Sequence, residues 1–192
     1  MGRVKGHLRN GTWVRAHPRR GGAAVGGLGA VAGVALAVAV IGGGTSPKPA
    51  SPEQTTPQAV AVRWVVDGDT LRVRLRNGGE QRVRLLAVDT PEVGRDGRAG
   101  DCYAREAAEL TTQLVEAADQ IVLVSDPTQP DQDDYDRLLR YVRLDGKDLG
   151  QQLLEAGAAL VWVGDPPAQR VQAYRTAQAR AGRSRTGLWA AC

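Results

Sequence analysis

The sequence predicts that residues 59–192 fold as a mainly β domain with helices (α+β), built on a five-stranded, partly open barrel. Three observations support this. Apolar and polar residues alternate over successive segments between residues 59 and 88. The pair Asn77-Gly78, typical of a hairpin turn, separates two of these segments. The later apolar segments then switch between strand and helix periodicity.

The first three strands form a meander in this prediction. The first strand places Val60, Val62, Trp64 and Val66 on one face. The second covers residues 71–75 and alternates with arginines, which we expect to form a solvated face. The third runs from residue 80 to residue 88 and ends before a proline. We expect four aromatic residues to pack in or against the core and not to bind a ligand; they are Trp64, Tyr141, Tyr174 and Trp189.

The second half of the domain adds helices and two more full strands. A helix is predicted over residues 101–118 with Asp101 as its cap, followed by strands at residues 121–124 and 138–144. A short helix follows near residues 149–154, then an apolar segment at 159–163 and a last helix beginning at Pro167. This order predicts an OB-fold-like barrel with about three helices. Such barrels often bind oligonucleotides, an analogy at the level of the fold.

The N-terminal third is predicted to be a targeting region. Residues 1–20 contain six basic residues and no acidic one, which fits a cytoplasmic tail that contacts anionic lipid; a small hairpin at Asn10-Gly11 is an alternative. Residues 21–44 form a hydrophobic anchor or a cleaved signal, and residues 45–58 a Pro/Ser/Thr-rich linker. The uncharged residues 23–41 approach the ~20 residues that span a membrane. The basic flank predicts that the domain is exported.

The charge and the cysteines of the domain add two expectations. Residues 58–192 contain 18 basic and 20 acidic residues, a net charge of −2, so phosphate recognition must come from a few placed arginines. Cys102 and Cys192 are an even pair in a domain predicted to be exported, which favours a disulfide over two separate thiols.

Two acidic motifs are predicted to meet at one rim of the barrel. If the second and third strands pair through the hairpin, Thr70 lies opposite residues 85–88, and Asp69, Asp89 and Glu92 come together near Arg84. Three carboxylates repel one another unless a cation intervenes, and oxygen ligands suit calcium or magnesium. The domain has no histidine, which argues against zinc. Each motif taken alone also fits ordinary turn chemistry.

Taken together, the motifs resemble the staphylococcal nuclease family. The runs VVDGDT, RLLAVDTPE and DDYDRLLRYV match that family in order and spacing, and the resemblance extends from about residue 59 to Trp189. The resemblance implies a calcium-dependent phosphodiesterase that cleaves DNA and RNA to leave 5′-hydroxyl and 3′-phosphate ends. The implied calcium ligands are Asp69, Asp89 and the main-chain carbonyl of Thr90.

The resemblance also implies roles around the phosphate. Glu92 would activate or orient the attacking water, Arg84 and Arg137 would stabilise the transition state, and Tyr135 would contact a phosphate. This sequence departs from the family where a lysine helps to hold the nucleotide, because position 134 is an aspartate in an acidic run. Trp162 stands where the family has a stacking tyrosine and fits either base stacking or the core.

The sequence therefore predicts a calcium-dependent nuclease outside the cytoplasmic membrane, secreted or anchored through residues 23–41, with a monomeric catalytic domain and nucleic acid as its substrate. Two alternatives use the same fold. One is a catalytically silent module that binds oligonucleotides or a protein partner. The other is a tethered structural protein whose carboxylates hold calcium for stability. The complete set of five residues favours the enzyme; they are Asp69, Arg84, Asp89, Glu92 and Arg137.

Overall fold

The computed structural model describes residues 57–94 and 97–192, together with the backbone of four short strands near the N-terminus. The chain divides into two compact units, Met1–Pro49 and Ala50–Cys192. The first unit contains β1 (Arg3–Val4), β2 (His7–Arg9), β3 (Thr12–Val14) and β4 (His17–Pro18).

In this first unit β2 pairs antiparallel with β3, with Leu8 opposite Trp13, and β1 pairs with β4. The pairing of β2 with β3 is the hairpin that the Asn10-Gly11 alternative predicted. Residues 23–41 lie outside the described residues. Within the part of the chain that is described, no helix has the length and apolar character needed to cross a membrane.

The second unit contains the predicted barrel and its helices. Its strands are β5 (Gln58–Ala59), β6 (Ala61–Asp67), β7 (Thr70–Arg74), β8 (Glu80–Leu85), β9 (Val88–Asp89), β10 (Ile121–Val124), β11 (Leu138–Leu144), β12 (Lys147–Asp148) and β13 (Leu160–Val161). Its helices are α1 (Ala104–Glu116), α2 (Leu149–Glu155), α3 (Val171–Arg183) and α4 (Leu188–Ala191).

The strand order closes the sheet on itself. The ladder runs β5-β10-β11-β8-β7-β6, and β5 and β6 are the two halves of one strand interrupted at Val60. The two ends of the ladder therefore belong to the same stretch of chain. Counted this way the barrel has five long strands, with β8 and β11 parallel and the other neighbours antiparallel. The predicted α+β class is confirmed.

The alternation predicted for the first strand is wrong at Trp64. Val62 lies opposite the buried Val73, but Trp64 lies opposite Arg72, so the register shifts by one residue between them. A bulge that adds a residue to one strand inverts which side chains face the core. Trp64 consequently points outward and is 50% exposed rather than packed in the core.

The helices pack on the barrel through small and aliphatic residues. Asp101 does not cap α1; Tyr103 precedes the helix in a left-handed conformation with φ 66°. The last long helix begins at Val171, later than the predicted Pro167, and α4 was not predicted. Tyr174 is 1% exposed and Tyr141 3% exposed, which confirms that both belong to the core.

Candidate active site

Strand ends from β7 and β9 meet at one rim of the barrel. Asp69 directly precedes β7, and Thr70 lies opposite Arg84 on β8, one position earlier than the predicted 85–88. The chain then reverses at Ala87, which has a φ of 57°, so that Asp89 on β9 returns towards β8. The aspartates are 4% and 5% exposed. The predicted association of Asp69, Asp89 and Arg84 is therefore present.

Arg84 lies between the two aspartates. Its Nη1 is 2.9 Å from Oδ2 of Asp69, and its Nη2 donates to Oδ1 of Asp89 at 2.7 Å. Nη1 also donates to the carbonyl of Val88 at 2.6 Å. The guanidinium is 7% exposed, so these contacts are made away from bulk water, where charge-assisted hydrogen bonds are strong. Two strands and a turn thus fix the orientation of a single buried cation.

The two acidic loops also contact each other through a hydrogen bond from a backbone amide to a carboxylate. The amide of Thr90 donates to Oδ2 of Asp69 at 2.8 Å, and the hydroxyl of Thr111 on α1 donates to the carbonyl of Gly68 at 2.7 Å. A Cβ at position 68 would lie 2.8 Å from the side chain of Thr90, closer than such atoms pack. The glycine of the Asp-Gly-Asp motif therefore allows the two loops to approach.

The rim carries more negative than positive charge. Burial, together with the neighbouring Asp69, raises the pKa of Asp67 to about 7, and the charge of Glu92 acts in the same direction. The burial of Asp67 is the main cause of this shift, and the neighbouring carboxylates add to it. Asp67 was part of the motif but was given no role from the sequence. Its spacing of two residues from Asp69 was the signal that could have identified it.

The rim offers oxygen ligands for a metal ion but no cluster of three acidic side chains. Within residues 57–94 and 97–192, no three His, Cys, Asp or Glu side chains are close enough to form a metal site on their own. The predicted association at the rim is present for Asp69 and Asp89 with Arg84, and the charge of Glu92 acts on Asp67, in the same motif as Asp69. The two buried carboxylates, Asp69 and Asp89, are oxygen ligands of the kind that fits a hard cation.

Glu92 is exposed and is held through its backbone. Its amide donates to Oδ2 of Asp101 at 3.2 Å, and its carbonyl accepts from the amide of Asp101 at 2.9 Å. Cys102, which follows Asp101, forms a disulfide with Cys192, and the two Cα atoms are 6.0 Å apart. The predicted disulfide is confirmed, and it anchors the segment that positions the backbone of Glu92.

Arg137 directly precedes β11, the strand beside the one that carries Arg84. The parallel register of β8 and β11 places Leu139 opposite Arg84, and Arg137 precedes Leu139 by two residues. Its Nη2 contacts Oδ2 of Asp133 at 2.6 Å, and its Nε donates to the same oxygen at 2.7 Å. Its guanidinium also lies 5.4 Å from the ring centroid of Tyr135, whose side chain is exposed.

The acidic run is partly neutralised within its own loop. Asp133 pairs with Arg137, and Asp131 pairs with Arg140, whereas Asp134 and Asp136 are exposed. Burial alone would raise the pKa of Asp133, but hydrogen bonds from Arg137 and two backbone amides outweigh it and lower that pKa. The contact between Asp133 and Arg137 was not predicted, although their spacing of four residues in one loop was a usable signal.

Trp162 is held at the same rim as Asp89. It follows β13, which pairs with β9 and places Leu160 opposite Asp89. The amide of Trp162 donates to the carbonyl of Ala87 at 3.1 Å, and its side chain is 49% exposed. The sequence left open whether Trp162 belongs to the core or is available for stacking. Its exposure excludes the core position, so its ring is accessible beside the rim.

A five-stranded barrel with buried carboxylates and an arginine at its rim belongs to the class of OB-fold-like proteins whose site suits an anionic, phosphate-containing substrate. A family model described as "Staphylococcal nuclease homologue" matches residues 82–191. The chain belongs to this family.

Several characterised relatives are similar over the same region. Endonuclease YncB of Bacillus subtilis is 32% identical over 131 residues, which cover 68% of this chain and 61% of the relative. The SPbeta prophage-derived endonuclease YokF of the same organism is 31% identical and is covered over 43% of its length. The thermonuclease of Staphylococcus hyicus is 28% identical over 69% of this chain and 76% of its own. The chain thus spans less than two thirds of the two Bacillus relatives.

Proposed function

We propose that the protein is a calcium-dependent phosphodiesterase that hydrolyses DNA or RNA outside the cytoplasmic membrane and leaves 3′-phosphate ends. The observation that carries this proposal is the buried arrangement of Asp69 and Asp89 on either side of Arg84 at the barrel rim. Membership of a family with endonuclease and thermonuclease relatives supports a nuclease in general. The identity of the metal ion, the location outside the membrane and the 3′-phosphate ends go beyond family membership and are part of this proposal.

The choice of cation rests on the donor set. Asp69, Asp89 and the main-chain carbonyl of Thr90 would hold calcium, since all three offer hard oxygen atoms. When bound, calcium would neutralise and polarise the phosphodiester. An added cation would relieve the repulsion among the carboxylates at the rim, where Arg84 contacts both Asp69 and Asp89.

The proposed reaction is hydrolysis of the bond between phosphorus and the 5′ oxygen. A water molecule adds its oxygen to phosphorus while Glu92 activates or orients it and accepts its proton. The bond between phosphorus and the 5′ oxygen breaks, and that oxygen takes up a proton from solvent to become a hydroxyl group. The phosphate, which now carries the oxygen of the water, stays on the 3′ side. Arg84 and Arg137 stabilise the charge that develops on the phosphate oxygens. Tyr135 contacts a phosphate, and Trp162 stacks on a base.

The location outside the membrane is supported by the disulfide. Disulfides persist in oxidising compartments and are rare in the cytosol. The Cys102–Cys192 bond is consistent with the export predicted from the basic and uncharged N-terminal segments.

The test uses the full chain on labelled single- and double-stranded DNA and RNA, with calcium, with magnesium and with a chelator. Cleavage that needs calcium and leaves 3′-phosphate ends is the expected result, read by end-group analysis. Glu92→Gln is expected to abolish cleavage. Glu109→Gln, which removes the same charge from an exposed position of α1, serves as the matched control.

The opposite result has a definite meaning. A folded protein that binds oligonucleotides without calcium, and whose binding is unaffected by Glu92→Gln, would replace the nuclease with a silent binding module. A melting temperature of the protein that depends on calcium, with neither binding nor cleavage of oligonucleotides, would indicate a structural calcium site.

A further inference from the structure

One row of side chains crosses the outer face of the barrel next to the site. The bulge in β6 sets Trp64 opposite Arg72 on β7, and Arg72 lies opposite Arg82 on β8. Directly opposite residues on paired strands share a face of the sheet. We call Trp64, Arg72 and Arg82 the outer row.

The outer row carries cationic charge that no carboxylate of the described residues neutralises. Among the described residues, neither Arg72 nor Arg82 has a carboxylate within ion-pair distance, whereas Arg84 contacts two aspartates and Arg137 contacts Asp133. Glu80, the acidic neighbour on β8, pairs with Arg63 instead. The row is therefore a local positive surface on a domain whose net charge is negative.

The row also presents an aromatic face. The guanidinium carbon of Arg72 lies 5.5 Å from the ring centroid of Trp64, and half of the tryptophan remains exposed. An arginine that lies over one part of an indole keeps the ring in place while the rest stays accessible. At the other end Arg82 donates to the carbonyl of Tyr135 at 2.6 Å, which links the row to the loop of Arg137.

The row is continuous with the active site. Arg82 precedes Arg84 by two residues on β8, so both side chains lie on one face of that strand, and the pair Thr70–Arg84 lies beside the pair Arg72–Arg82. Since neighbouring strands are about 4.8 Å apart, the row extends the rim by ~10 Å across β8, β7 and β6.

We propose that the outer row binds the single-stranded segment of nucleic acid that flanks the scissile phosphodiester. Arg72 and Arg82 contact backbone phosphates, and Trp64 stacks on a base. This deepens the proposed nuclease function and rests on it. A positively charged groove combined with an exposed aromatic ring is the arrangement by which barrels of this class hold single strands independently of sequence. Duplex DNA, whose bases are already stacked on each other, cannot use the tryptophan.

The experiment compares two single-stranded substrates of different length. The full chain and its variants are assayed with calcium on a 20-nucleotide single strand and on a dinucleoside monophosphate, which contains the scissile phosphate but no flanking phosphate for the row to bind. For Trp64→Ala and for Arg72→Gln, the ratio of kcat/KM on the long strand to kcat/KM on the dinucleoside monophosphate is expected to fall roughly tenfold. The loss is expected in KM.

Arg143→Gln is the matched control. Arg143, like Arg72, is a strand arginine, but it is exposed where Arg72 is half-buried, and it lies on β11 opposite Val122, away from the row. Its loss is expected to leave the ratio unchanged. The logarithmic dependence of long-strand affinity on salt is expected to become shallower by about 0.7 in Arg72→Gln. An unchanged ratio in the row variants, or an equal fall in Arg143→Gln, overturns the proposal.

A failure of the nuclease proposal gives a different pattern. If the parent cleaves neither substrate, binding of the same 20-nucleotide strand is measured by fluorescence anisotropy. Binding that weakens in the row variants and not in the control would retain the row as a nucleic-acid surface without catalysis. Equal binding by parent and row variants would overturn the row.

Discussion

Arg84 and Arg137 are proposed to act on the same phosphate, but the protein holds them in different ways. Arg84 is 7% exposed and is fixed by Asp69 and Asp89, which come from the ends of two other strands. Arg137 is more exposed, at 19% of its side chain, and contacts an aspartate four residues earlier in its own loop. The first arginine is therefore part of the barrel, and the second belongs to a local loop. Variants at the two positions should separate stability from catalysis.

The largest effect is expected at Arg84. Arg84→Ala leaves two buried carboxylates without their cation, and removing one partner of such a group costs about 3–5 kcal/mol. We expect activity to be abolished and the chemical denaturation midpoint to fall clearly. Arg84→Lys retains the charge and is expected to recover part of the stability. It is expected to recover little activity, because a lysine cannot contact both aspartates through two separate nitrogen atoms. Equal stability of Arg84→Ala and the parent would show that the barrel does not depend on this arginine.

The next effect is expected at Arg137. Arg137→Ala should reduce kcat by roughly 10²–10³-fold, the usual result of removing one group that stabilises transition-state charge. Its stability should stay within about 1 kcal/mol of the parent, because only a partly exposed pair with Asp133 is lost. The check is kcat from saturation kinetics beside thermal melting. A loss of stability as large as that of Arg84→Ala would remove the distinction between the two arginines.

A smaller effect is expected from Asp133, which we regard as a positioning residue. Asp133→Asn removes the charge that holds Nε and Nη2 of Arg137, and we expect kcat to fall about tenfold with little change in KM. Asp134→Asn, which removes an exposed charge from the neighbouring position, is the control and should not lower kcat. If KM rose and kcat did not change, Asp133 would act on binding and not on the position of Arg137.

The smallest effect is a dependence of stability on pH. The pKa of Asp133 is lowered in the folded protein, so its ionised form stabilises the fold at pH values above the ordinary aspartate pKa of about 3.9. This contribution is lost as the pH falls through the lower folded value. The difference in unfolding free energy between the parent and Asp133→Asn should therefore be constant from pH 7 to about 4 and shrink below that. A difference that grew on acidification would contradict the lowered pKa.

The sequence predicted most of the fold because local signals agreed with it. Strands β10 and β11 were predicted within their observed bounds, and the hairpin at Asn77-Gly78 was expected from its turn residues. The predicted orientation of Trp64 was wrong because a bulge changes the register, and the pattern of apolar residues does not indicate the bulge. The start of α1 was misplaced because a tyrosine, and not Asp101, precedes the helix in a left-handed conformation.

The site could be predicted only in outline. The hairpin and the motifs were sufficient to bring Asp69 and Asp89 near Arg84. The turn at Ala87 and the buried contacts of the guanidinium depend on tertiary packing. The outer row could not be predicted for the same reason, because Trp64 lies opposite Arg72 only after the register shift.

The Cys102–Cys192 bond makes residues 102–192 a covalent ring. Arg137 and Trp162 lie within this ring, whereas Asp69, Arg84 and Asp89 precede it. A single proteolytic cut inside the ring, for example near the exposed Val163, would open it without releasing a fragment. The segment after the cut, which contains α3 and α4, would stay attached through the disulfide to the part that carries the rim residues. The nicked protein would separate into two pieces only under denaturing, reducing conditions.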